Sequence, residues 1–264
     1  AIPILPEAAV VWAPWIGLLA VIGIIYGALG CLAQTDMKRL IAFSSVAHMG
    51  FVMLGIATLT DFGINAAIMG MVAHGLITGM LFFVAGSVKD RFHTLEISRL
   101  GGLLVQAPRM GWVFGFCIMA SLGLPGLAGF WGEFPAILSA YQPANGVPVE
   151  VFRAYMVIAA LGTVLAAGYL LWLLQRVAFG NPTEEFAEDP NITDTTKHEW
   201  IAWAPLLALI VAIVAAYLSV RSSPALDWER LFKIALATTI RGEVESGGGD
   251  SAAWWARVKG VVFY

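Results

Sequence analysis

Three titratable residues of this chain lie inside long apolar stretches. Glu133 follows a Pro-Gly pair within the tract Met110–Ala140, and His48 and His74 each lie near the middle of an earlier apolar tract. A carboxylate at the centre of a membrane costs about 2.5–3.5 kcal/mol on insertion scales, so a functional reason for it is expected. Histidine titrates near neutral pH, and a desolvated carboxyl group can titrate in the same range. Together the three residues predict a proton path through a membrane.

Other interpretations of the same residues stay open. A membrane histidine can serve as a hydrogen-bonding group between helices, and a Pro-Gly pair can be a packing kink. Two histidines and a carboxylate are a known metal-ligand set, but the HxxxH and ExxH spacings are absent and the residues come from separate tracts. A proton path accounts for all three together. Three hydroxyl groups are suited to hold water along it: those of Ser44, Ser45 and Thr78.

The composition places the chain in a membrane. Of its 264 residues, 59% are hydrophobic and 12% charged, whereas soluble domains are about 45–50% apolar and about 25% charged. The apolar tracts carry no basic stripe of the kind that binds nucleic acid. Cys31 and Cys117 lie far apart without a CxxC neighbour, which favours packed thiols over metal or iron–sulfur ligands.

Six apolar tracts are long enough to cross a bilayer, which takes about 20 residues of helix. They are Ala8–Ala33, Leu40–Thr60, Phe62–Val88, Met110–Ala140, Ala154–Leu174 and Trp200–Val220. The fourth tract is too long for one straight span, because about 31 helical residues extend about 46 Å against a hydrocarbon core of about 30 Å. Pro125 removes a backbone donor and Gly126 tolerates unusual dihedral angles. The fourth tract therefore predicts two half-helices around an unwound centre, the kind of break that lines polar cavities in transporters.

Basic residues in the loops predict the orientation. Eight lysines and arginines lie on one side of the membrane and one on the other, so the loop with Lys38 and Arg39 is expected in the cytoplasm. By the same rule, the loop Tyr141–Arg153 faces the periplasm or its equivalent.

The chain is interpreted as two regions. Residues 1–221 form a transmembrane helical domain, in which the acidic segment Asn181–Glu199 is expected to be a solvated loop. Residues 222–264 form a polar, amphipathic tail, with Leu226–Arg241 as a candidate interfacial helix. Because the chain begins without methionine, we expect it to be part of a longer protein.

Four sequence strings follow one another within about Ala8 to Gly180: QTDMKRLIAFSSVAHMGFV, MVAHGLITGMLFFVAGSVKDR, HTLEISRLGGL and SLGLPGLAGFWGEF. Their order and content resemble the antiporter-like membrane subunits of respiratory NADH–quinone oxidoreductase, complex I. Related subunits of Mrp-type cation/proton antiporters and membrane-bound hydrogenases share much of this pattern. Where this chain has the glutamate of GEF, other antiporter-like subunits usually carry lysine, and the chain is similar to the subunit M branch.

The resemblance implies an all-α membrane fold of fourteen spanning helices with two inverted repeats of five. This chain would hold the second repeat and the last helix, with one of its six spans discontinuous. By resemblance, His48 and His74 lie on a central axis of buried polar residues, and Glu133 ends the exit half-channel. Lys38 belongs to the family's DxKR string at a helix start and is included in the expected proton path.

The function implied by the resemblance is that of a proton-translocating membrane-arm subunit, an enzyme only as part of NADH:quinone oxidoreductase. No cofactor or metal is expected on this chain; NAD, FMN, iron–sulfur clusters and quinone are expected on partner subunits. The expected partners are neighbouring antiporter-like subunits and the lipid bilayer, in a bacterial plasma membrane. The alternatives are a subunit of an Mrp-type antiporter or membrane-bound hydrogenase, and an inactive or scaffold membrane fragment.

Overall fold

The computed structural model describes residues 4–187, 189 and 192–222, the last six of them by backbone alone. All eight regular elements in this part of the chain are α-helices, which confirms the predicted all-α fold. They are α1 (Pro6–Leu32), α2 (Met37–Ala57), α3 (Asp61–Phe92), α4 (Leu103–Gln106), α5 (Pro108–Ser121), α6 (Phe130–Ser139), α7 (Val149–Ala178) and α8 (Lys197–Ser222). The chain divides into two units, Ala1–Ala215 and Ala216–Tyr264. The candidate tail helix Leu226–Arg241 lies outside the described residues.

Five of the described helices, α1, α2, α3, α7 and α8, are long and apolar enough to cross a membrane. The chain is thus a multi-pass integral membrane protein. The fourth predicted span is divided between α5 and α6, which are separated by residues 122–129. The break between α5 and α6 has a local cause. Pro125 lacks an N–H group, and Gly123 and Gly126 adopt left-handed backbone angles, with φ of +73° and +94°.

Small residues bring α1 and α2 into direct backbone contact. A β-carbon on Gly27 would lie 2.6 Å from the backbone nitrogen of Ala47, and one on Gly50 would lie 2.8 Å from the carbonyl oxygen of Ala20. Close approach of this kind is how helices associate within a membrane. Beyond its contact with α1, α2 also packs against α3, α6 and α7, and His48 contacts side chains from all three.

The acidic segment from the end of α7 to the first turn of α8 is bound to the ends of α3 and α5 rather than fully solvated. The buried guanidinium of Arg91, near the end of α3, donates to both carboxylate oxygens of Glu199 at 2.7 and 2.8 Å. Arg91 also donates to the carbonyl oxygens of Thr193 and Asp194. The Asp194 carboxylate accepts from two backbone N–H groups at the start of α5, and the ring of Phe186 is buried. The expectation of a solvated loop is therefore wrong for this part of the segment, because its carbonyl and carboxylate oxygens satisfy a buried guanidinium and a helix start.

Candidate functional site

The broken helix brings Glu133 into contact with His48. Atom Oε1 of Glu133 lies 2.5 Å from Nδ1 of His48, a very short hydrogen bond. The His48 side chain is 3% exposed and that of Glu133 is 14% exposed, so little water competes for either group. The proton between them can lie on the imidazole, neutral or as imidazolium, with Glu133 as carboxylate, or on Glu133 as carboxylic acid with a neutral imidazole.

The break itself shapes the position of Glu133. The residue lies in the first turn of α6, where the helix dipole presents its positive end to a carboxylate. A β-carbon on Gly123 would lie 3.1 Å from Oε2 of Glu133, and the φ of Gly123 is +73°. Glycine at this position therefore allows the unwound backbone to pass beside the carboxylate without a side chain in between.

Two hydroxyl groups approach the other ring nitrogen of His48. The Ser121 hydroxyl, at the end of α5, lies 3.3 Å from Nε2, and the Tyr169 hydroxyl of α7 lies 3.4 Å from it. Ser121 and Tyr169 are buried. Both nitrogens of the imidazole ring therefore have hydrogen-bonding partners from other helices.

His74 of α3 lies beside His48. Their ring centroids are 5.3 Å apart, with the ring planes inclined by 40°. The ring of His74 is within hydrogen-bonding distance of the hydroxyls of Ser45, at 3.1 Å, and Thr78, at 3.2 Å. By contrast, Ser44 donates to the carbonyl oxygen of Ile41 on its own helix. Two of the three hydroxyls predicted along the path thus contact a histidine.

A small cavity joins these groups. It is lined by both histidines, Glu133 and Ser121, together with apolar side chains and glycines of α2, α3, α6 and the break before α6. The volume open to the centre of a water molecule is about 20 Å³, enough for about one water. The structure therefore brings together three of the four residues predicted to carry protons, around a space that can hold a bridging water.

Comparison with known proteins places this arrangement in a family. Residues 1–168 match the family model described as "NADH:quinone oxidoreductase/Mrp antiporter, TM". The chain belongs to this family. Over 212 residues it is 40% identical to NADH-quinone oxidoreductase subunit M of Rhodobacter capsulatus, a match covering 80% of this chain and 40% of that protein. The chain thus spans about 40% of the length of the curated relatives it matches.

Solved structures of the NADH:quinone oxidoreductase/Mrp antiporter family have a similar fold. A chain of respiratory complex I from Thermus thermophilus with bound NADH aligns with a TM-score of 0.72 and 30% identity, over 81% of this chain and 43% of that one. A chain of the Mrp complex from a Dietzia species aligns with a TM-score of 0.63 and 21% identity, over 78% of this chain and 44% of that one. At 21% identity, the second likeness concerns the fold alone.

Lys38, the fourth residue predicted for the path, lies apart from the others. It is exposed in the first turn of α2, ten residues before His48, or about 15 Å along the helix axis. There it lines an open cleft with Lys89 and a wall formed by Phe82, Ala85, Gly86 and Leu95. Its assignment to the proton path stays a prediction.

Ser121 and Tyr169 contact His48 although neither was among the residues predicted for the proton path. Ser121 precedes the Pro-Gly break by four residues, and this nearness to the break could have indicated that its hydroxyl lies close to Glu133 and the histidines. Tyr169 lies in an ordinary apolar span, where a tyrosine is a common residue. Nothing in its sequence neighbourhood indicates that its hydroxyl faces a histidine 121 residues earlier.

Proposed function

We propose that this chain is part of a proton-translocating membrane-arm subunit of an NADH:quinone oxidoreductase. The contact between His48 and Glu133 carries the proposal: a titratable pair, shielded from water, at a break in a membrane helix. Support comes from the names of relatives at 39–40% identity, NADH-quinone oxidoreductase subunit M and NAD(P)H-quinone oxidoreductase chain 4. The glutamate in the GEF string agrees with the subunit M branch.

The geometry suits transfer of a proton from histidine to glutamate. At 2.5 Å, the Nδ1–H bond of an imidazolium breaks as an O–H bond forms on Glu133, with almost no movement of heavy atoms. His74 and Ser121 line the same small cavity as this pair, so a water there would link His74 with Ser121 and His48. In the proposed direction, protons arrive from the His74 side, and Glu133 releases them toward the periplasmic face.

Electron transfer would take place on partner subunits, which hold NAD, FMN, iron–sulfur clusters and quinone. The two cysteines of this chain are both buried, one on α1 and the other on α5. An iron–sulfur cluster is held by four cysteine thiolates, so these two residues do not fit such a site. The partners would be neighbouring antiporter-like subunits in a bacterial plasma membrane. This chain would respond to electron transfer through a change in the protonation of the His48–Glu133 pair.

The decisive experiment replaces Glu133 in the full-length subunit within its assembled complex. Glu133→Gln keeps the shape of the side chain but cannot accept and release a proton. We expect the number of protons pumped per electron to fall by the share that this subunit carries. Glu133→Asp keeps the charge but draws it back from His48, and a displacement of about 1 Å can cost up to about 100-fold in rate.

The matched control is Glu150→Gln, which removes an exposed carboxylate at the start of α7. We expect it to leave both pumping and assembly unchanged. A Glu133→Gln complex that assembles and pumps the same number of protons per electron as the Glu150→Gln complex would contradict the proposal. Cation exchange in the absence of NADH would instead favour the Mrp-type alternative.

A further inference from the structure

The open cleft between the start of α2 and the end of α3 is not used by any of the proton-transfer steps above. Two lysines border it, Lys38 in the first turn of α2 and Lys89 in the last turn of α3, and both are exposed. The volume open to the centre of a water molecule is about 310 Å³, at the lower end of the range for small-molecule sites, about 300–1,000 Å³. The cleft is therefore large enough to hold a ligand.

Apolar groups form the rest of the cleft. Phe82, Gly86 and Lys89 follow one another at spacings of four and three residues, so they share one face of α3. Phe82 is seven residues before Lys89, or about 10 Å along the helix axis. Ala85 and Leu95, which are both buried, complete the apolar wall. The cleft thus combines a cationic end with an apolar wall that follows a helix long and apolar enough to cross a membrane.

The two ammonium groups are not balanced by acidic side chains of the cleft. Neither lysine forms an ion pair with a residue that the structure describes. Three carboxylates are close to them in sequence, but none lines the cleft: Asp36, Asp90 and Glu96. Oδ1 of Asp36 accepts from the backbone N–H of Arg39, and Oε1 of Glu96 accepts from the Ser98 hydroxyl. Two of the three carboxylates are therefore bonded to groups outside the cleft.

Lys38 is also placed against the dipole of its own helix. The first turn of a helix carries a partial positive charge, which favours an anion and disfavours a lysine. Lys89 adds a second positive charge to the same cleft. An anion bound between the two ammonium groups would neutralise both of them and would also lie close to the positive end of α2.

We propose that this cleft binds an anionic phospholipid, with the headgroup phosphate between Lys38 and Lys89 and an acyl chain along the wall that includes Phe82. Basic pockets between membrane helices on the cytoplasmic side suit anionic headgroups, and the start of α2 is predicted to face the cytoplasm. A free phosphate would use the lysines but leave the apolar wall in water, whereas a phospholipid covers both. The site does not depend on the proposed function.

The test uses a phosphatidylglycerol that carries a photoactivatable group on its acyl chain, in vesicles that hold the assembled complex with the full-length subunit. After illumination, mass spectrometry of the digested subunit locates the labelled residues. We expect the label on α3 near Phe82 and Gly86. Unlabelled phosphatidylglycerol should displace the photoactivatable lipid, whereas phosphatidylcholine, which has no net charge, and inorganic phosphate should not.

Lys38→Gln and Lys89→Gln each remove one charge from the cleft. A lysine near a membrane surface strengthens the binding of anionic lipid about fivefold, so each variant should reduce the labelling of α3 about fivefold, and the double variant about 25-fold, at lipid concentrations below saturation. Lys197→Gln is the matched control, because Lys197 is an exposed lysine in the first turn of α8 and does not line the cleft. We expect the control to be labelled like the wild type.

Gly86→Leu tests the apolar wall without changing a charge. A β-carbon on Gly86 would have no described neighbour within 4 Å, so a leucine there extends into the open cleft. Gly168→Leu is the matched control, at an equally open site on α7. We expect Gly86→Leu to lose the label on α3 and Gly168→Leu to keep it, with both complexes assembling normally.

Equal labelling of α3 in the double lysine variant and in Lys197→Gln would overturn the inference, as would a wild-type complex without label on α3. Displacement by phosphatidylcholine would also overturn it, because charge would then play no part, and displacement by inorganic phosphate would show a phosphate site rather than a lipid site. Labelling does not require pumping. If Glu133→Gln pumps normally while the lysine variants lose the label, the proposed function fails and the lipid site stands.

Discussion

Gly132 of α6 and Gly70 of α3 meet backbone to backbone. A β-carbon on Gly132 would lie 2.3 Å from the α-carbon of Gly70, closer than any non-bonded carbon atoms approach. The contact lies one residue before Glu133 and four residues before His74 in their respective helices. The spacing between the carboxylate and the histidines is therefore set by two residues without side chains.

The first prediction follows from this contact. Gly132→Ala should force α6 away from α3 and disturb the short bond between Glu133 and His48. Overpacking of this kind costs about 1–3 kcal/mol, so we expect lower thermal stability and reduced pumping. The matched control is Gly168→Ala, at an exposed site on α7 where an added β-carbon has no described neighbour within 4 Å. Equal melting temperatures and pumping ratios in the two variants would show that the close contact is not needed.

The second prediction concerns the hydroxyl groups around His74. Thr78→Val keeps the shape of the side chain but removes the hydroxyl that lies 3.2 Å from the ring nitrogens. Loss of one such bond costs about 1 kcal/mol, and we expect the pumping rate to fall by up to about tenfold. Thr163→Val is the control, since this exposed hydroxyl donates only to the carbonyl oxygen of Ala160 on its own helix. Similar rates for the two variants would remove Thr78 from the path.

The third prediction concerns Arg91, whose guanidinium binds Glu199 and several carbonyl oxygens while its side chain is 9% exposed. Lysine cannot reproduce this planar set of donors, so Arg91→Lys should lower the free energy of unfolding by about 3 kcal/mol. Thermal unfolding of the complex in detergent measures the effect.

Arg99→Lys is the control for this third prediction. Arg99 pairs with Glu185, and its hydrogen bond lowers the pKa of that carboxyl group, but the two side chains are 45% and 47% exposed. Water screens such a pair, so its replacement should change stability little. If Arg91→Lys is as stable as Arg99→Lys, the buried arginine does not hold the start of α8 and the residues before it in place.

Some features of the site could be predicted because they depend on local sequence. A Pro-Gly pair in a tract too long for one span favours a break in the helix, and Glu133, eight residues beyond Pro125, falls in the first turn of the helix that follows. His48 and His74 lie near the middle of apolar tracts, so their depth in the membrane follows from counting residues. Lys38 lies about 15 Å along α2 from His48, and its place in the proton path stays a prediction that the resemblance implies.

The sequence by itself determined the membrane class, the family, the broken helix and three of the residues around the cavity. Tertiary structure alone decided that Nδ1 of His48 faces Glu133 and that Ser121 and Tyr169 face Nε2. It also decided that Arg91 binds carbonyl oxygens before α8 and Glu199 in its first turn. The physical reason is helix rotation. Apolar composition fixes which residues lie at membrane depth, but contacts between distant glycines, such as Gly132 and Gly70, fix which faces of the helices meet.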